Sequence, residues 1–157
     1  MDTSIVLSTR VWLERNFPDI PFDVSSEEDL QETCVSRVMN AITMGGETCR
    51  WQRACCEDLT EEQIQSLSAR HLLDREQVKK ARKGVLLQGT EEAQAILLGA
   101  GSHVLVLAAE PGEALQTCAT RCFAVEDMLS RHLEFAFDAE FGYLTAAVAA
   151  CGTGMGA

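Results

Sequence analysis

Seven cysteines, three histidines and a Gly152-Thr153-Gly154 run hold most of the reactive chemistry this chain could offer. Cys49, Cys55 and Cys56 are close enough in sequence to suggest thiolate coordination of zinc. No Cys-x-x-Cys occurs and no histidine stands at ligand spacing, so no metal site is expected. Cys118 and Cys122 are four apart in an apparent helix, where cysteine serves as a small apolar residue. An odd count without a secretory leader reads as reduced, mostly buried thiols. The glycine run is not a phosphate-binding Gly-x-x-x-x-Gly-Lys-Ser/Thr loop, and no Ser/His/Asp grouping has a supporting local signature. What remains is a small set of isolated polar groups beside apolar runs: Arg10, Arg15 and His103.

The elements that must position these groups can be read from periodicity. Residues 5–13 alternate and are rich in Val, Ile and Leu, which predicts a strand carrying Arg10. Pro18 and Pro21 place Asn16–Asp23 in a loop. Ser25 and Glu28 have the spacing of a capping box, ahead of a helix that buries Leu30, Cys34, Val38 and Ile42 and ends at Gly45-Gly46. Thr60 and Gln63 form a second box, leading a helix with Ile64, Leu67 and Leu72 as its apolar positions. Residues 74–83 are dense in charge and read as a solvated helical face or loop. Val85–Gln88, Ala93–Leu98 and His103–Ala109 are apolar runs separated by Gly89-Thr90-Glu91-Glu92 and Gly99-Ala100-Gly101-Ser102, the pattern of an antiparallel meander. After Pro111-Gly112 a long helix turns Leu115, Cys118, Cys122, Val125, Leu129 and Leu133 inward. Tyr143–Val148 reads as one more strand, and a flexible glycine-rich tail closes the chain. Segregated strands and helices predict an α+β fold, an antiparallel β-sheet flanked by helices, in one domain over residues 1–157.

Bulk composition narrows the partners. Thirteen Lys and Arg against 24 Asp and Glu give a formal charge of -11, a field that repels nucleic acid and anionic membrane surfaces. No apolar run approaches the roughly 20 residues of a membrane span. Met1-Asp2-Thr3-Ser4 lacks a basic, then apolar, secretory leader, so a cytoplasmic protein is expected.

Taken in order, several segments resemble the phosphagen kinase (ATP:guanido phosphotransferase) family, most of all its bacterial protein-arginine kinase branch. They are Ser8-Thr9-Arg10, Leu13 with Arg15-Asn16, Pro21-Phe22, Ala69-Arg70-His71-Leu72-Leu73, His103, Phe135-Ala136-Phe137, Gly142-Tyr143-Leu144-Thr145-Ala146 and Gly152-Thr153-Gly154-Met155. The likeness runs through the whole chain but takes in only about the first half or more of that family's catalytic domain. It implies the N-terminal part of a guanido kinase catalytic domain, of glutamine synthetase/guanido kinase-like fold, in truncated form.

The same resemblance implies which functional groups are missing. Members carry Ser-Ser/Thr-Arg-Val-Arg in the first strand; here Arg10 stands, but the second arginine is Trp12. An Asn-Glu-Glu-Asp-His-x-Arg segment reads Gly99-Ala100-Gly101-Ser102-His103-Val104-Leu105, leaving only His103. The family's reactive cysteine corresponds to Ala147, and a phosphate-binding arginine to Gly156. Cys151 lies four positions past the cysteine site. Guanidino phosphoryl transfer needs arginines on the triphosphate, Mg²⁺, and a carboxylate on the guanidinium. The expectation is therefore a catalytically inactive, pseudokinase-like binding or regulatory module with no catalytic residues and no cofactor. It would act through a protein partner or self-association. In the alternative, a residual ATP-dependent phosphotransferase or nucleotide-binding protein, ATP and Mg²⁺ are retained. Arg10 and His103 are then the remnant nucleotide contacts, although a structural salt bridge for Arg10 and an ordinary strand role for His103 fit as well. Trp12 reads as a plug in the old site or as an exposed aromatic for a partner.

Overall fold

The computed structural model describes residues 5–90 and 93–157, so the expectations for Met1–Ser4 and for Glu91-Glu92 fall outside the described residues. The apolar runs 85–88, 93–98 and 103–109 become β3 (Val85–Gly89), β4 (Gln94–Leu98) and β5 (Val104–Pro111), an antiparallel meander. On one side β2 (Trp51–Cys55) pairs with β3. On the other, β1 (Ser8–Arg15) pairs along its whole length with β5, from Ser8 opposite Pro111 to Arg15 opposite Val104. A short β8 (Met155–Gly156) adds to β1, giving the order β2-β3-β4-β5-β1-β8. A separate hairpin joins β6 (Phe137–Asp138) to β7 (Gly142–Tyr143).

Both faces of the sheet are covered, which explains why its strands read as nearly unbroken apolar runs. Val11, Leu13, Ile96, Leu98, Val104 and Val106 point toward α1 (Glu28–Met44) and α4 (Leu115–Ser130). Leu86, Ala95, Leu97, Leu105 and Leu107 point the other way, toward Leu67 on α2 (Glu61–Ala69), Val78 on α3 (Arg75–Lys80) and the linking Leu72 and Leu73. Leu97 and Leu98 are both wholly buried, so truncating either to alanine is worth about 2–5 kcal/mol. The α+β class is as expected.

Several local expectations are corrected. The first strand spans Ser8–Arg15 rather than 5–13. Ser25 does not cap α1: its hydroxyl and N–H both bond the Asp23 carboxylate, and the helix begins at Glu28 without a side-chain cap. The Thr60/Gln63 box forms, and a further one, Asp74 with Gln77, starts α3 in the charged stretch. Cys118, Cys122, Val125 and Leu129 line the buried side of α4 as expected, but Leu115 is half exposed at its first turn. Of the expected Tyr143–Val148 strand only Tyr143 lies in a ladder, as the second residue of β7; Thr145 Oγ1 donates to the Ala147 carbonyl, and residues 148–150 form a tight turn.

Candidate functional site

Strand parity puts Arg10, Trp12 and Glu14 of β1 on one face and Val11, Leu13 and Arg15 on the other. The first face carries a concavity of about 240 Å³ bounded by Trp12, Glu14, Lys80, Gly101, Ser102 and Ala147. The positions at which the family resemblance implies replaced polar groups therefore converge: the first strand at Trp12, the loop before His103 and the segment at 147 share one hollow. Its charged groups are Glu14, whose carboxylate accepts a 2.7 Å hydrogen bond from Ser102 Oγ, and Lys80 at the rim. A triphosphate entering here would meet one carboxylate for one ammonium. Glu14 was missed in the sequence, where its parity with Arg10 and Trp12 was the one available signal; Lys80 and Ser102 come from other elements and had no local signal.

β8 flanks Trp12 at the edge of the sheet. Trp12 and Gly156 are direct cross-strand partners, and a Cβ on residue 156 would lie 2.1 Å from Trp12 Cζ2. The indole thus occupies the space that any side chain at 156 would need. Arg10 lies over the same ring, its Cζ 5.2 Å from the centroid. That stack replaces the salt bridge considered for Arg10; no carboxylate pairs with it among the described residues.

Arg15 faces the other way and is buried; of the two roles its place at a loop start suggests, on the surface or paired with a carboxylate, it takes the second. Its Nε donates to Glu126 Oε1 at 2.6 Å, and Nη1 donates to the carbonyls of Glu14 at 2.8 Å and Thr153 at 2.9 Å. Its guanidinium lies 3.6 Å over the Tyr143 ring. One side chain therefore joins β1, α4, β7 and the segment leading to β8. Gly154 completes the clasp: its φ is +59°, its carbonyl accepts from Glu14 N–H at 2.7 Å, and a Cβ there would strike Arg15 Nη1. The glycine-rich tail is thereby a paired sheet element, not the flexible terminus expected.

His103 is wholly buried and both ring nitrogens are engaged. Phe17 N–H donates to Nδ1 at 2.8 Å, and the Pro21 carbonyl, 2.6 Å from Nε2, can only accept. The ring is therefore the neutral tautomer protonated at Nε2. Burial pushes its pKa below the ordinary histidine value. Asn16 finishes the node, accepting from His103 N–H and donating to the Leu144 carbonyl. Arg10 sits opposite Ala109 in the β1–β5 register, six residues along the strand from His103, or roughly 20 Å. The structure does not bring these two together.

The thiols divide by environment. Burial raises Cys56 and Cys122 to about 12. Cys151 is half-buried and moves the other way, its thiol lowered by the Thr145 hydroxyl 3.5 Å from Sγ. Among the described residues no three His, Cys, Asp or Glu side chains cluster to hold a metal ion, and no helix is long and apolar enough to cross a membrane.

Comparison with known proteins places this geometry. Residues 33–157 match the model of the ATP:guanido phosphotransferase C-terminal catalytic domain. The chain is 28% identical to the protein-arginine kinase of Shouchella clausii and 31% identical to that of Halothermothrix orenii, in each case over 98% of this chain and 44% of the relative. It thus spans less than half the length of these curated relatives. Among solved structures, the substrate-free duplicated taurocyamine kinase from Schistosoma mansoni superposes with a TM-score of 0.77 at 19% identity, covering 96% of this chain and 23% of that one. Lombricine kinase superposes with a TM-score of 0.72 at 17% identity, over 96% and 46%. At such identities the likeness is one of fold.

Proposed function

The chain belongs to the ATP:guanido phosphotransferase family, and from that premise we propose that this guanidino-kinase-like domain does not transfer phosphoryl groups and serves as a binding or regulatory module. The observation that carries the reading is the Trp12–Gly156 pair. Two positions where the family resemblance implies phosphate-binding arginines are cross-strand neighbours, one filled by an indole and the other stripped to a hydrogen. The loop that should supply carboxylates presents Ala100, Gly101 and Ser102 instead. A charge-assisted hydrogen bond to phosphate contributes roughly 1.5–3 kcal/mol, and removing a positioned acid–base group costs roughly 10²–10⁴ in rate. Glu14, facing the hollow, adds repulsion toward any polyphosphate.

On this reading the module works through a protein partner or a second copy of itself, without nucleic acid or membrane, in keeping with a charge of -11. Purified protein incubated with Mg-ATP and arginine-containing protein is expected to form no phosphoarginine, as read by mass spectrometry with labelled ATP. Label on arginine would overturn the proposal. Light scattering over a concentration series tests self-association.

One observation favours a second reading, retained nucleotide binding. The Arg10 guanidinium lies on an indole rather than on a carboxylate, leaving its charge available to a phosphate. Calorimetry with ATP and ADP separates the two: saturable heat that Arg10→Ala removes would favour this second reading.

A further inference from the structure

On the face of the sheet turned away from the Trp12 hollow, Trp51 and Gln94 bury hydrogen-bond donors. Trp51 Nε1 and Gln94 Nε2 have no acceptor among the described residues. Trp51 is 8% exposed and Gln94 2%. Trp51 belongs to the core beneath α1 and α4, and Gln94 shares its parity along β4 with Ile96 and Leu98 of that core. Trp51 pairs with Gly89, and Gln94 follows by one step the register that sets Gln88 against Ala95. The indole and the amide thus flank a residue without a side chain, two strand spacings or roughly 10 Å apart at their Cα atoms. Arg50 joins them: its Nη2 donates to Gln94 Oε1 at 3.2 Å, and its Cζ lies 5.5 Å from the Trp51 ring centroid.

The Arg50 contact decides which way the amide points. A guanidinium only donates, so the amide oxygen faces it and the NH₂ group faces away. Around Gly89 stand an indole N–H, an amide NH₂ and a guanidinium, and every one of them offers protons. Buried donors in folded proteins almost always find an acceptor. An acceptor-only, negatively charged, planar group answers this set: one oxygen to the indole, one to the amide, and the charge beside Arg50.

We propose that Arg50, Trp51 and Gln94 form a small carboxylate-binding site. Arg50 stands at the rim, its side chain 38% exposed and also 3.6 Å from Glu47, and it moves aside to admit the ligand. The overall charge of -11 opposes any free anion, so binding is weak and is read at high ligand concentration. The site is independent of whether phosphoryl transfer survives on the other face.

The test uses the full chain labelled with ¹⁵N and titrated with sodium acetate against sodium chloride at matched ionic strength. The two indole N–H resonances are distinguished with Trp12→Phe. The Trp51 resonance is expected to shift saturably in acetate and not in chloride, while that of Trp12 stays in place. Gln94→Leu should abolish the shift with the spectrum still dispersed, and Arg50→Ala, a change at the exposed rim, should weaken binding by about tenfold or more. A stationary Trp51 resonance, an equal response to chloride, or saturable binding unchanged in both variants would overturn the proposal.

Discussion

Trp12 and Gly156 face each other across the β1–β8 pairing with room for one side chain between them, and the indole takes it. The two positions are therefore coupled: with tryptophan at 12, glycine is required at 156 for packing, whatever its backbone angles. Gly156→Ala should cost about 1–3 kcal/mol in the β1–β8 pairing, the ordinary range for overpacking. Because β8 is short, the loss is expected to appear locally. The Glu14 amide, bonded to the Gly154 carbonyl, should exchange faster with solvent while the β4 amides do not change. Trp12→Ala should suppress the effect, with a coupling of at least about 0.5 kcal/mol in the double-mutant cycle. Additive effects would show that this packing does not govern the pairing.

Arg15 and Glu126 form the other long-range tie, a buried ion pair 2.6 Å long between β1 and α4. Removing one partner strands the other charge in the interior, so Glu126→Ala should destabilise by about 3–5 kcal/mol. Replacing both with apolar residues, as in Arg15→Met with Glu126→Leu, should cost clearly less than the sum of the single changes. Urea titrations of the four proteins measure this. Arg15 also holds the Thr153 carbonyl, so the doubly apolar protein should still loosen β8.

The sheet and its helices were legible because their signals are local. Apolar runs set between turn residues marked β3 to β5, the Cys34, Val38, Ile42 stripe marked α1, and the Thr60/Gln63 spacing marked α2. The hollow was legible only as a set of replacements, since its walls come from residues near 12, 101 and 147 that meet through strand pairing. The tail misled because glycine content reads as freedom. Here Gly154 and Gly156 are small so that Arg15 and Trp12 can lie against them. Ser25 misled because Asp23, two residues earlier, offers its hydroxyl a nearer acceptor than the helix does. Arg15 was read as paired or on the surface, and nothing local to it points to Glu126, 111 residues away.

His103 gives the fold a pH dependence. Its folded pKa lies below the unfolded value of about 6.5, so the unfolded chain binds the proton first as pH falls. The stabilisation is complete above about pH 6.5 and is lost as pH drops toward the folded pKa, at up to about 1.4 kcal/mol per pH unit. Geometry gives the reason: a proton on Nδ1 would confront the Phe17 N–H that now donates to it. Unfolding free energies measured between neutral and mildly acidic pH should fall in the native protein and fall less steeply in His103→Gln. Parallel profiles would assign the acid sensitivity to other groups.

Restoring a single acid separates a missing group from a missing site. A Cβ on Gly101 meets nothing within 4 Å, whereas one on Gly99, at φ +77°, would crowd Gln31. Gly101→Glu should therefore fold with stability within about 0.5 kcal/mol of the native chain, as surface substitutions usually do. It should still form no phosphoarginine from ATP, because Trp12 fills one arginine position and bars a side chain from the other. Adding Trp12→Arg and Gly156→Arg together removes the indole and returns two cations to these positions. Phosphate binding needs those cations, so saturable heat with ATP is expected only in the triple variant. Equal ATP binding by Gly101→Glu alone would mean that the Trp12–Gly156 pair is not what keeps nucleotide out.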